Sequence, residues 1–277
     1  MSGVACAAGF DDGFLGLPAP MPTPAAPTVR LDYLHFTVLF RTDRRLAAVT
    51  GVNVHGGLLI EIERKEDVWL LDPRVPAEQQ AGPELYVRND FDRGHMVRRR
   101  DPGWGSTADA LAANNDTFHY TNAAPQASQL NQSPELWAGL EDYLLVHAAT
   151  YEQRLSVFTG PVLAADDPAY RGVRVPLRFW KIAAWLQGDH LATAGYVLDQ
   201  TEMVGPILAA EAGREGAPPP IGAFRTFQVP ILDIADLAGS AMPDLIAADV
   251  LVAPPVRAEG AARAWIPLHQ QSDMMLS

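Results

Sequence analysis

The sequence predicts a single α+β domain built around a central, largely antiparallel β-sheet. Strand-like segments recur along most of the chain, and one long amphipathic helix lies among them near the middle. No shift in composition divides residues 31–250, so we find no boundary between two domains in that range. Many strands with few helices are typical of folds in which helices are segregated to one side of an antiparallel sheet.

Two segments in the first quarter of the chain have strand character. LDYLHFTVLF (31–40) is rich in β-branched and aromatic residues, and LLIEIER (58–64) alternates apolar and polar residues over a short run. Residues 72–92 contain prolines and several charges, which predicts a long loop. Long ordered loops in compact domains often carry function.

The strongest helix prediction is SPELWAGLEDYLLVHAATYEQ (133–153). Ser133 suits the N-cap, and Pro134 suits the first helical position. Leucines at every fourth position then form an apolar stripe, which favours a helix with one buried face.

Further strands are predicted after this helix. The four candidates are LSVFTGPVL (155–163), RFWKIAAWL (178–186), HLATAGYVL (190–198) and AFRTFQVP (223–230). The segment 231–239 predicts a short helix, and the Ala-, Gly- and Pro-rich segment 206–220 predicts another loop.

The ends of the chain are predicted to lie outside the folded domain. Residues 1–29 are rich in Ala, Pro and Gly and predict a flexible tail. We place the domain at residues 30–255 and a C-terminal extension at 256–277.

Neither a membrane span nor a secretory signal is indicated. No apolar run is long enough to cross a bilayer, and the N-terminal segment has no basic start and contains Asp11 and Asp12. We therefore expect no membrane partner, and a cytoplasmic location by default or export by a non-classical route.

The charge of the chain is uneven. The formal net charge is -12, which counts against non-specific binding of nucleic acid by the surface as a whole. Five arginines nevertheless fall within thirteen positions: Arg88, Arg93, Arg98, Arg99 and Arg100. The single cysteine, Cys6, allows neither an internal disulfide nor a thiolate zinc site.

The stretch DRGHMVRRR (92–100) holds most of these arginines and one histidine. It is either a solvated basic loop or a site that meets phosphate. For the second interpretation, a histidine such as His95 is the residue type that exchanges a proton near neutral pH, and Arg93 offers a fork of donors that matches phosphate oxygens. If the next residues are extended, Arg98 and Arg100 share a face, and either could contact a nucleic-acid backbone or pair with an acid such as Asp101.

Three polar residues further along could complete such a site. Asn122 and Asn131 are in the first instance turn or capping residues, but an amide oxygen can also ligate Mg²⁺. Glu141 is either a solvated glutamate or an acceptor for metal-bound waters. Arg64, at the end of a predicted strand, is either a surface residue or a second guanidinium for a phosphate.

Four segments resemble, in sequence and order, motifs of the DNA/RNA non-specific endonucleases of the ββα-metal superfamily. They are DRGH (92–95), TNAAPQ (121–126), LN (130–131) and WAGLE (137–141). DRGH alone is a weak signal, but the ordered set is specific, and weaker similarities extend over roughly residues 31–240. The resemblance implies the ββα-metal nuclease fold, in which a mainly antiparallel central sheet is flanked by helices.

The same resemblance implies roles for the site residues. His95 would be the general base that activates a water. Asn131 would be the direct ligand of a single Mg²⁺, for which Mn²⁺ or another divalent cation could substitute, and Glu141 would orient the waters of that ion.

For the remaining residues, the resemblance implies contacts around the phosphate. Asn122 would position the histidine or the substrate phosphate, and Arg93 would organise the site and bind phosphate. Arg64 would stabilise the transition state.

These roles predict a metal-dependent endonuclease that cuts DNA and RNA with little preference for sequence or sugar, because none of the groups reads a base edge or needs a 2′-hydroxyl. Two other classes stay open at this point. One is a nucleic-acid-binding protein of the same fold without catalysis, and the other is an unrelated acidic domain with a coincidental DRGH. A homodimer is compatible with the resemblance.

Overall fold

The computed structural model describes six stretches of the chain. They are residues 9–63, 67–128, 145–213, 225–251, 265–268 and 273–276.

Within these residues the chain forms fourteen strands and four α-helices. The strands are β1 Thr23–Pro24, β2 Val29–Tyr33, β3 Phe36–Arg41, β4 Leu46–His55, β5 Phe91–His95, β6 Ala123–Ala127, β7 Arg154–Pro161, β8 Ala169–Tyr170, β9 Val173–Arg174, β10 Arg178–Gln187, β11 His190–Asp199, β12 Arg225–Val229, β13 Ser240–Ala241 and β14 Ile266–Leu268. The helices are α1 Thr107–Asp116, α2 Thr201–Glu211, α3 Ile231–Ala238 and α4 Pro243–Ala247, and residues 145–150 are also helical. Short 3₁₀ segments lie at Gly56–Leu58, Ala77–Gln79, Pro83–Leu85 and Tyr120–Asn122.

Eight of the strands form the central sheet. Their order is β14-β12-β11-β10-β7-β4-β3-β2, and every neighbouring pair is antiparallel. The predicted class, an α+β fold around a mainly antiparallel sheet, is confirmed. The centre of the sheet is covered on both faces, which explains why β10 is buried through most of its length.

A separate two-stranded pair lies on one face of this sheet. β5 and β6 pair antiparallel, and Phe91 and Ala127 enter the same hydrophobic core as the sheet residue Phe179. Leu145 and Ala148, from the helical residues 145–150, enter this core as well. Two strands and a helical segment therefore lie together on one face of the sheet.

The N-terminal segment covers the opposite face. Phe10, Leu15 and Ala19 are buried against Phe158 and Trp180, with the rings of Phe10 and Phe158 5.1 Å apart. The prediction of a flexible tail at 1–29 is therefore wrong for residues 9–29, because a few apolar side chains among the Ala and Pro residues bury against the sheet.

The C-terminal extension also contributes to the domain. β14 pairs with β12 at the edge of the central sheet, so residues 266–268 belong to the fold and do not lie beyond it. This short strand gives no clear pattern in the sequence because it has only three residues.

Two predicted elements differ from the structure. The described part of the predicted strand 58–64, residues 58–63, is not a strand: Leu59 makes a single bridge to Trp104, and residues 60–63 have no regular structure. The strand in this part of the chain is β4. Residues 206–211 are helical, although they were predicted as a loop.

This last difference has a physical cause. Pro206 lies inside α2, where a proline removes a backbone hydrogen bond. Met203, Val204 and Ile207 of the same helix are buried in the core that holds the β5–β6 pair, and their burial offsets that loss.

The long helix predicted at 133–153 is described only in part. Residues 145–150 are helical, and the predicted start of the helix at Ser133 and Pro134 lies outside the described residues. Among the helices that the structure describes, none combines the length and the apolar character needed to cross a bilayer.

Replacing Phe10 by alanine tests the docking of the N-terminal segment. We expect the free energy of unfolding to fall by about 3 kcal/mol, because a buried aromatic ring is lost and a cavity remains. Urea unfolding of Phe10→Ala measures this loss. Leu58→Ala, at a side chain that is 47% exposed, is the control and should change stability by far less. Equal stability of Phe10→Ala and the unmodified protein would show that the segment is a free tail.

Candidate active site

Strand β5 brings Arg93 and His95 to one side of the β5–β6 pair. The two residues are two positions apart, so their side chains project to the same side of the strand. Arg93 is exposed and His95 is half-buried, and both contact the ring of Trp69. A cation and an imidazole are therefore adjacent at the surface.

Gly94, between these two residues, allows the strands to lie close. A Cβ atom at this position would lie 2.2 Å from both Cδ and Oε1 of Gln126, whose side chain is buried. The Gln126 side chain thus crosses the space that any larger residue would need. Glycine at this position is a packing requirement of the β5–β6 pair.

Asn122 fixes the chain immediately after His95. Its side-chain Nδ2 donates to the carbonyls of Val97 and Thr117, and its Oδ1 accepts from Val97 N–H, all at 2.9 Å. The backbone carbonyl of Asn122 accepts from Met96 N–H at 2.9 Å.

These hydrogen bonds distinguish between the two roles that the resemblance implies for Asn122, which are positioning of His95 and positioning of the substrate phosphate. The residue is fully buried, and its amide is used by backbone groups. The arrangement suits a residue that holds the end of β5 in place, and it does not suit one that reaches a phosphate directly.

Aromatic side chains surround His95. The centroid of its ring lies 4.7 Å from that of Trp69 and 5.1 Å from that of Phe118, at interplanar angles of 51° and 86°. Trp69 also contacts Phe118 and Tyr120, at 5.4 and 5.7 Å. Sequence reasoning did not single out Trp69 or Phe118; the available signal was a tryptophan just before the predicted loop at 72–92.

The loop that carries Trp69 is anchored at residues that directly follow it. Leu70 N–H donates to the Phe118 carbonyl and the Leu70 carbonyl accepts from Tyr120 N–H, both at 2.9 Å. Two residues further on, Asp72 accepts hydrogen bonds from the Tyr33 hydroxyl and from Arg74, whose Nη2 lies 2.7 Å away.

The Asp72 carboxylate is held in its charged form. Burial alone would raise the pKa of this carboxyl, but the hydrogen bonds from Arg74 and Tyr33 outweigh burial and lower that pKa to about 2. Burial and the hydrogen bond to Asp72 raise the pKa of the Tyr33 hydroxyl well above its ordinary range. Tyr33 is also 2.7 Å from the Thr121 hydroxyl, so this network connects the loop to the residue before Asn122.

The three arginines after the DRGH motif are not equivalent. The chain turns here, since Asp101 N–H donates to the Arg98 carbonyl and Gly103 N–H donates to the Arg100 carbonyl, both at 3.1 Å. The extended conformation that would place Arg98 and Arg100 on one face is therefore absent, because turn hydrogen bonds replace it. Arg100 is exposed, whereas Arg98 and Arg99 are half-buried.

Arg99 lies in a surface groove beside the aromatic cluster. The groove has a volume of about 350 Å³, and its walls include Val68, Leu70 and Phe118. The Arg99 carbonyl accepts a hydrogen bond from Asn114 Nδ2 at 2.8 Å, which fixes the backbone of the turn.

The other predicted site residues lie outside the described residues. These are Arg64, Asn131 and Glu141. Asn131 and Glu141 fall in the connection between β6 and the helical residues 145–150. Within the part of the chain that the structure describes, no three His, Cys, Asp or Glu side chains lie close enough together to hold a metal ion.

Comparison with known proteins shows which proteins this chain is similar to. The model of the DNA/RNA non-specific endonucleases matches residues 18–249. A chain in the crystal structure of the EndoG/EndoGI complex has a TM-score of 0.57 at 19% identity and shares the fold, and the match covers 80% of this chain and 89% of that one.

Relatives with higher identity include bacterial and mammalian proteins. The uncharacterized protein y4fB of Sinorhizobium fredii is 37% identical over 272 residues, which are 89% of this chain and 40% of that protein. Mitochondrial endonuclease G of Homo sapiens is 32% identical over 132 residues, 43% of this chain and 42% of that protein. The chain thus spans about two-fifths of the length of the curated relatives it matches.

The close contact at Gly94 predicts a large effect of a single methyl group. Gly94→Ala should lower the free energy of unfolding by about 1–3 kcal/mol, because the buried Gln126 side chain would have to leave its position to make room for the methyl group. The control is Gly205→Ala in α2, where an added Cβ meets no atom within 4 Å; it should raise stability by about 0.5–1 kcal/mol. Denaturant unfolding of both variants measures the difference, and a neutral Gly94→Ala would refute the packing requirement.

The low pKa of Asp72 predicts a stability that depends on pH. In the unfolded chain this carboxyl has an ordinary pKa of about 3.9. The charged network therefore stabilises the fold fully above about pH 4, and this contribution is lost as the pH falls towards 2.

The measurement is the free energy of unfolding of the unmodified protein and of Asp72→Asn between pH 6 and pH 2. We expect a difference of about 2 kcal/mol at pH 6 that shrinks as the pH falls. A difference that stays constant over this range would contradict the assignment.

Proposed function

Since the chain belongs to the DNA/RNA non-specific endonuclease family, we propose that it is an active endonuclease that hydrolyses phosphodiester bonds in DNA and RNA. The observation that carries this proposal is the pair formed by His95 and Arg93 on one side of β5. The pair supplies a base and a phosphate-binding cation at adjacent surface positions.

His95 acts as the general base. Its imidazole accepts a proton from a water molecule while the water oxygen attacks phosphorus. The bond between phosphorus and the leaving sugar oxygen breaks, and that oxygen takes up a proton from solvent. Imidazole suits this role near neutral pH because its pKa lies close to that range. The side chain is half-buried, and its ring contacts Trp69 and Phe118.

Arg93 binds the phosphate. Its guanidinium is exposed and offers paired donors to the non-bridging oxygens, whose negative charge grows as water attacks. Arg64 is proposed as a second such group. Arg100, exposed on the turn that follows the motif, is the better placed of Arg98 and Arg100 to contact a flanking phosphate.

Asn131 and Glu141 are the proposed residues for a divalent cation, with Mg²⁺ as the expected ion and Mn²⁺ as a substitute. Support comes from the donor set, because amide and carboxylate oxygens are among the ligands that Mg²⁺ prefers. A bound Mg²⁺ would supply charge stabilisation at the phosphate and the leaving oxygen.

The proposed roles of His95 and Arg93 predict little selectivity for base sequence or for the sugar. Base sequence is read by hydrogen bonds to base edges, whereas His95 and Arg93 address water and phosphate. Neither needs the 2′-hydroxyl that distinguishes RNA from DNA. We therefore propose that both nucleic acids are substrates and that cleavage is largely independent of sequence.

Cleavage of plasmid DNA by His95→Ala tests this proposal. The variant should cleave at least about 100-fold more slowly, because the base that accepts the proton is removed. His190→Ala, at an exposed histidine at the start of β11, is the matched control and should cleave at the unmodified rate.

The melting temperature of each variant confirms that the fold is intact. Turnover of His95→Ala close to that of the unmodified protein would contradict the mechanism. An unmodified protein that shifts DNA in a gel without cutting it would favour the alternative, a nucleic-acid-binding protein of this fold without catalysis.

A further inference from the structure

We propose that Trp69 is a positioning residue that holds the His95 imidazole and the Arg93 guanidinium in a fixed relation to each other. The inference rests on the proposed function, because it assigns a task to Trp69 within that same site. The feature that motivates it is one indole ring in contact with both groups.

The contact with Arg93 is of the cation–π type. The Arg93 Cζ atom lies 5.4 Å from the centroid of the Trp69 ring, within the range in which the negative face of an indole attracts a guanidinium. Arg93 is exposed, and a long exposed side chain otherwise samples many rotamers. The indole therefore restricts Arg93 to the side of the strand that carries His95.

The contact with His95 is a tilted ring pair. The two centroids are 4.7 Å apart, and Phe118 packs edge-on against the imidazole at 5.1 Å. Trp69 and Phe118 also touch each other in an edge-to-face arrangement. The imidazole is thus confined between two rings that support one another, which limits its rotation.

Trp69 can serve as a fixed support because its own backbone is held. The neighbouring residue Leu70 exchanges two hydrogen bonds with Phe118 and Tyr120, and Asp72 is bound by Tyr33 and Arg74. These anchors come from three different parts of the chain. An indole on an unanchored loop would move with the loop and could not fix a catalytic group.

For catalysis, the consequence is that one indole ring fixes the position of the base relative to the bound phosphate. Arg93 places the phosphate and His95 activates the water, so their relative position sets the line of attack. Small misplacements of reacting groups reduce turnover strongly. Loss of the indole should therefore lower kcat, with a smaller effect on KM.

The first experiment measures the contact without using activity. In an NMR spectrum of the histidine ring protons, the ring current of Trp69 shifts the His95 resonance, which is identified by its absence in His95→Ala. The shift should be lost in Trp69→Leu and partly retained in Trp69→Phe. An unchanged His95 resonance in Trp69→Leu would overturn the proposal.

The second experiment measures plasmid cleavage by the same variants. We expect Trp69→Leu to lower kcat by roughly 10- to 100-fold, with KM changed by less, and Trp69→Phe to restore most of kcat. Trp265→Leu is the control: this half-buried tryptophan contacts Phe227 and packs in the core on the opposite face of the sheet, so its loss should leave kcat unchanged.

Two results would overturn the inference while leaving the proposed function intact. One is an active Trp69→Leu with unmodified kcat although the His95 resonance has moved. The other is a raised KM with unmodified kcat, which would make Trp69 a substrate-binding surface and not a positioning residue. Failure of the proposed function itself is separate, since the unmodified protein would then not cleave DNA at all.

Discussion

The geometry of the site depends most on the buried side chain of Asn122. Its amide joins the turn after β5 to Thr117, which follows α1, and it does so immediately before β6 begins. The turn after β5 and residues 117–122, about 25 positions later, are thus fixed together by hydrogen bonds that water cannot replace, because Asn122 is fully buried. His95 ends β5 at this point, so its position follows from a backbone constraint and not from any contact with substrate.

Different parts of the fold support the site and carry its proposed catalytic residues. The eight-stranded sheet and the cores on its two faces supply a rigid base, and the β5–β6 pair presents Arg93 and His95 above it. The loop at 67–82 then closes over the pair through Trp69. This arrangement also explains how a chain with a formal net charge of -12 can belong to a family of nucleases. The proposed phosphate-binding cation, Arg93, is exposed and lies beside the proposed base, so the charge at the site differs from the charge of the chain as a whole.

The features predicted most accurately from the sequence were long strands with a clear residue pattern and the segment that carries a motif. Strands β7, β10 and β11 are long and were expected close to their observed bounds, and the DRGH stretch was identified as a site candidate. β4 was missed because alanine and glycine weaken its pattern, although it lies near the centre of the sheet. Trp69 could not be predicted, since its contacts join a loop to residues between about 25 and about 50 positions away, and no local pattern encodes such packing.

The most direct test of the proposed activity is a cleavage assay of the unmodified protein on plasmid DNA and on a structureless RNA, with Mg²⁺, with a chelator, and with Mg²⁺ restored. The proposed activity predicts cleavage of both nucleic acids with Mg²⁺, none with the chelator, and recovery when the ion returns. Cleavage that continues in the chelator, or binding without cleavage in Mg²⁺, would contradict it.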